Sequence, residues 1–88
     1  MDFSEELYIG NSIKDADIVI SMLKKGKTLS GVFCICKKDN GKFMYEILSA
    51  TELQKERNKN RYEVFGIALG KKEALEVLRF MVEEKHEY

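Results

Sequence analysis

Tyr62-Glu63-Val64-Phe65-Gly66-Ile67-Ala68-Leu69-Gly70 runs without a break into Lys71-Lys72-Glu73-Ala74-Leu75-Glu76-Val77-Leu78. The first part is apolar from Val64 to Leu69, rich in β-branched and aromatic residues. That is the pattern of an inner strand with both faces covered. At Gly70 the apolar period changes from two to that of a helix. Ala74, Leu75, Val77, Leu78, Met81 and Val82 then share one stripe, which must lie against the sheet. Gly70 serves as N-cap, and the charge of Glu73 suits a helix start.

Upstream of this unit, residues 50–61 are almost wholly polar and read as a loop, with a helical turn or two around Ala50 to Glu56 anchored by Leu53. Before it comes a hairpin, Thr28 to Lys37 and Lys42 to Ser49. Asn40-Gly41 at its centre signals a two-residue type I′ turn. That turn would set the register. Cys36 then faces Tyr45, Cys34 faces Ile47, and Val32 faces Ser49. On the other side Phe33 faces Leu48, Ile35 faces Glu46, and Lys37 faces Met44. Val32, Cys34, Cys36, Phe43, Tyr45 and Ile47 are assigned to the core.

Nearer the N-terminus, Ser12 reads as an N-cap with Asp15 completing a Ser-x-x-acid box. A helix over Ile13 to Lys25 follows, with stripe Ile13, Ala16, Val19, Ile20 and Leu23, and Gly26 as its stop. Leu7-Tyr8-Ile9 reads as a short strand, and residues 1–6 as a frayed end. The order is β-α-β-β-β-α in one domain, 1–88. The economical packing is an α+β two-layer sandwich, with two helices on one face of an antiparallel sheet.

The chain has 88 residues, with 15 basic and 15 acidic side chains and a formal net charge of zero. It therefore has no global field for nucleic acid or an anionic membrane, and such binding needs a local patch. No apolar run is long enough to span a bilayer, and the N-terminus lacks a signal-peptide pattern; a cytoplasmic location is expected. Cys34 and Cys36 lie two apart in a strand, where a disulfide would strain the backbone. With one distant histidine, His86, they do not complete a zinc site. They read as small buried apolar side chains. No metal, cofactor or catalytic residue is expected; Glu46 is a carboxylate on a sheet face without a visible pocket, and no nucleophile–base set is present.

Two stretches, Leu7-Tyr8-Ile9-Gly10-Asn11-Ser12-Ile13 and Val64-Phe65-Gly66-Ile67-Ala68 with Glu73-Ala74-Leu75-Glu76, together resemble small uncharacterised proteins of anaerobic Gram-positive bacteria. That resemblance implies the order of elements and no activity. From Ile13 onward the order of helix, three strands and helix is similar to a double-stranded-RNA-binding domain. Gly70-Lys71-Lys72-Glu73-Ala74 resembles the lysine-rich start of that domain's last helix, which implies Lys71 and Lys72 as phosphate contacts. The chain departs from the pattern in three ways. It lacks a Gly-Pro-x-His-like loop, it carries Val77, Leu78 and Met81 where alanine is favoured, and its net charge is zero.

Two candidate surfaces follow. Lys71 and Lys72 oppose the helix macrodipole, by about 0.3–1 kcal/mol each, and with Gly70 and the first-turn amides could hold an anion. Lys55, Arg57, Lys59 and Arg61 of the polar loop would assist in holding a nucleic acid. The other surface is apolar: Ile18, Met22 and Phe80 lie off their helix stripes, and Phe33, Ile35, Met44 and Leu48 make the second hairpin face apolar. Burying a Phe or Ile stabilises by about 1.5–3 kcal/mol, so these residues mark either helix–helix contact or a surface for a protein partner or a homodimer. A non-catalytic binding protein is the expected class.

Overall fold

The chain forms β1 (Asp2–Ile9), α1 (Ala16–Lys24), β2 (Val32–Lys38), β3 (Glu46–Ser49), α2 (Ala50–Leu53), β4 (Tyr62–Leu69) and α3 (Lys71–Lys85) in that order. The computed structural model describes residues 2–27, 29–38, 45–55, 58 and 61–85. The strands make one open sheet in the order β1-β4-β2-β3, and the class is α+β.

The sheet is mixed rather than antiparallel. β4 pairs antiparallel with β2 but parallel with β1. β1 is also longer than the sequence suggests, because Asp2 and Phe3 lie opposite Glu63 and Val64. Phe3 and Leu7 pack against the core below α1. The polar Ser4-Glu5-Glu6 stretch looked like a frayed end because it belongs to a border strand. There the register shifts between Phe3 and Tyr8, and Glu5 and Glu6 are exposed. Charge and irregularity are both ordinary protections of a free sheet edge.

The helices do not share a face, which corrects the two-layer expectation. Val32, Cys34 and Cys36 of β2 with Val64 and Ile67 of β4 meet Ile13, Ala16, Val19, Ile20 and Leu23 of the α1 segment, joined by Leu53 of α2. Ile35 and Ala68 on the other face meet Ala74, Val77, Leu78 and Met81 of α3. The reason lies in β2 and β4 themselves, which are apolar on both sides and lose water on both only if helices flank the sheet. The α1 stripe is the expected one. The helix starts later, however, with Asp15 rather than Ser12 as N-cap, its carboxylate accepting from Ile18 N at 3.2 Å. Ser49 caps α2 by accepting from Glu52 N at 3.1 Å, and Leu53 is buried as expected.

β3 is offset by one residue from the expected register. Cys36 lies opposite Glu46, Ile35 opposite Ile47 and Cys34 opposite Leu48. A one-residue slip exchanges the two faces of a strand. Ile47 and Tyr45 therefore pack on the α3 side and Leu48 on the α1 side. The Asn40-Gly41 turn, Phe43 and Met44 lie outside the described residues. Cys34 and Cys36 are free and fully buried. Burial pushes the Cys34 thiol up to about 12, and burial foremost, then the charges of Cys34 and Glu46, raises Cys36. Thiols so displaced stay protonated and unreactive at neutral pH.

Candidate functional site

Because β1 and β4 run side by side in the same direction, they end side by side. β1 leads towards α1 on one face and β4 towards α3 on the other. A crevice opens where neighbouring parallel strands send their chains to opposite faces, and in open sheets ligands favour that place. Here the crevice is held in shape by one side chain. Glu73, in the first turn of α3, accepts a hydrogen bond from Leu69 N at its Oε1 (2.8 Å) and another from Ser12 N at its Oε2 (2.9 Å). One carboxylate thereby ties the β4–α3 turn to the β1–α1 connection.

Gly10 is what lets the carboxylate in. Its N–H donates to Ile67 O at 2.8 Å, which draws the connection close against β4. A Cβ on residue 10 would sit 2.7 Å from Glu73 Cδ, too near for the carboxylate to stay where it is. Hydrogen bonds to the charged form, foremost that from Leu69 and then those from Ser12, hold the Glu73 carboxyl below its ordinary pKa of 4.5. The sign of the pH effect follows. The clamp contributes fully above pH 4.5 and is lost as pH falls through the lower folded value. Glu73→Ala is expected to cost about 1–2 kcal/mol at neutral pH, measured by urea denaturation. The gap between the two proteins should narrow as pH drops below 4.5. A gap that stays constant down to the acid transition would show that the carboxylate contributes nothing in its charged form.

Beyond the clamp a groove of about 330 Å³ runs between the end of β1 and one flank of α3. Tyr8 and Ile9 form one wall, Val77 and Phe80 the other, with Glu73 and Glu76 along the upper rim. The α3 residues are spaced at three and four, so one side of the helix supplies them all. The Tyr8 and Phe80 rings meet edge to face at 5.9 Å, and the Tyr8 hydroxyl donates to Glu84 Oε1. Phe80 nevertheless remains 55% exposed and Ile9 37% exposed.

Among the described residues, the sequence-derived cations are not brought together. Lys71 and Lys72 are exposed at the start of α3, but the Glu73 carboxylate already stands beside them. Arg61 precedes β4 and Gly70 follows it, about 30 Å apart at the usual rise of a strand. Lys55 belongs to the connection leading into β4 and pairs with Glu52 at 3.0 Å. Arg57 and Lys59 lie outside the described residues.

The apolar candidates are likewise separated. Ile35 is fully buried under α3, so it is not a surface residue, and Phe33 is half-buried on the same side. Leu48 packs on the α1 side. Ile18, 56% exposed, and half-buried Met22 belong to α1, across the sheet from Phe80; contact between the helix edges is therefore excluded. Among the described residues of this set, Phe80 alone lines the groove. Its partners Tyr8, Ile9, Gly10 and Glu76 were missed; the one visible hint was that strand–Gly–helix junctions occur twice, at Gly10 and Gly70.

No protein-family model matches the chain, and neither a curated protein nor a solved structure matches it. Among the described residues, no helix is long and apolar enough to cross a membrane, and no group of three or more His, Cys, Asp and Glu could hold a metal ion.

Proposed function

We propose that this chain is a small binding module that docks an exposed segment of another protein in the groove between β1 and α3. The observation that supports this most is Phe80. It stacks on Tyr8 beside Ile9, at the border of the sheet, and still leaves more than half its surface to water. Aromatic side chains fixed by neighbours and left open are what partner surfaces use as anchors. A second copy fits less well than a different protein. A two-fold contact would bring the same acidic patch of both copies, with Glu73, Glu76 and Glu84, face to face.

The test is selection of short peptides from a random displayed library, followed by amide chemical-shift mapping of those that bind. Shifts are expected at Tyr8–Asn11 and Glu73–Phe80. Phe80→Ala should weaken binding by about tenfold or more while Ile18→Ala leaves it unchanged. Sedimentation should give the mass of one chain. Shifts confined to α1 or to the 55–61 connection, or a stable dimer, would remove the reading.

A further inference from the structure

We infer that the side chain this groove receives from its partner is an arginine. The inference rests on the groove being the docking site and adds the chemistry of its occupant. Three observations converge on it.

First, the groove is acidic within a chain of zero net charge. Glu73 and Glu76 line it, Glu84 lies one turn beyond Phe80, and no lysine or arginine is among its lining residues. Glu5 and Glu6 of β1 lie in a separate hollow with Glu63, and Lys72 and Arg79, exposed on α3 to either side of Glu76, offset part of the charge around the groove. At the groove lining itself the two carboxylates favour a basic side chain over an acidic one, although the whole molecule carries no net charge.

Second, of Glu73, Glu76 and the nearby Glu84, two are already engaged. Glu73 holds the Leu69 and Ser12 amides, and Glu84 accepts from the Tyr8 hydroxyl. Glu76 is exposed and has no hydrogen-bond or ion-pair partner among the described residues, Lys72 included. It is the carboxylate left to receive a cation.

Third, Glu76 stands one helical turn before Phe80 on the same flank of α3, so an unengaged carboxylate and an open aromatic ring are neighbours. A guanidinium is planar, stacks on an aromatic face and grips a carboxylate with two parallel hydrogen bonds; an ammonium does the first less well and the second not at all. The apolar stem of the arginine would lie against Ile9 and Val77, and the volume of about 330 Å³ admits the whole side chain. A small free cation is disfavoured because the groove is open along its length and leaves such a ligand largely in water.

The experiment uses a library-selected peptide and synthetic versions of it, with fluorescence anisotropy on the full chain. Selected sequences should share an arginine. Replacing it with citrulline, which keeps the shape and removes the charge, should weaken binding about tenfold, and lysine should weaken it several-fold. Glu76→Gln should produce a comparable loss with the arginine peptide and none with the citrulline peptide, so that the two changes are not additive. Raising the salt from low to moderate concentration should weaken the arginine peptide more than the citrulline peptide. If arginine and citrulline peptides bind alike while Phe80→Ala weakens both, the groove stands as the docking site and the arginine assignment falls. If binding ignores both Glu76→Gln and Phe80→Ala, both fall together. Glu76 is exposed, so Glu76→Gln is expected to leave the thermal midpoint within a few degrees of the original protein.

Discussion

Met81→Ala is expected to lower the free energy of unfolding by about 2–5 kcal/mol. Met81 is fully buried at the centre of the α3 side of the sheet, among Ile35, Ala68 and Ala74. Its loss would leave a hole that nothing nearby can fill. Gly66 below it and Ala68 and Ala74 beside it are small, and small residues have no side chain to swing inwards. For a domain of this length, with total stability of about 5–10 kcal/mol, that loss takes a large share. Leu75 on the same helix is the control: its spacing places it on the stripe facing the sheet, but it lies beside that stripe, 53% exposed, and Leu75→Ala should cost under about 1 kcal/mol. Urea denaturation checks both. A Met81→Ala protein as stable as its Leu75→Ala counterpart would mean that α3 does not pack on the sheet as described.

Gly66→Leu should destabilise the same contact from the opposite side, by about 3 kcal/mol or more. A Cβ at residue 66 would already stand 3.3 Å from Ile35 Cδ1, from Met81 Sδ and from Val77 Cγ1. The backbone brings Gly66 there because β4 carries an extra residue against β2: Ile35 pairs with Gly66, but Cys36 pairs with Val64. Such a bulge turns Phe65 and Gly66 towards α3 together, and only the residue without a side chain lets the helix approach. Gly66→Ala should be milder, and milder still in a Met81→Ala background, where the sulfur it would press upon is gone. Equal cost of Gly66→Ala in both backgrounds would contradict this geometry.

Local structure was legible in the sequence wherever local chemistry sets it. The change of period at Gly70, the α1 stripe from Ile13 to Leu23, the stop at Gly26 and the anchoring of α2 by Leu53 could all be read from neighbouring residues. Three further features depend on partners distant along the chain. The β3 register was inferred from Asn40-Gly41, and the observed pairing of Cys36 with Glu46 is one residue away from it, which was enough to exchange Ile47 and Leu48 between faces. The placement of the helices was visible in principle, since Phe33 and Ile35 make β2 apolar on the side away from the cysteines. Two layers would cover one of those faces and leave the other in water, whereas α1 and α3 cover both. The groove was not visible at all. Gly10 and Glu73 become neighbours only through β1 pairing with β4, and no spacing rule joins a glycine to a carboxylate so far along the chain.

The position of β4 in the sheet also bears on how the protein comes into being. β4 follows β1, β2 and β3 along the chain, yet it lies between β1 and β2, and Phe3 must wait for Val64, about 60 residues later, to find its neighbour. While the ribosome is still adding the middle of the chain, β1 and β2 are two strands with a gap between them, and β1 keeps both borders unpaired. Its run of acidic residues, Asp2, Glu5 and Glu6, then has a second use. Like charges on an unpaired strand disfavour its pairing with the β1 of another copy until β4 occupies its place.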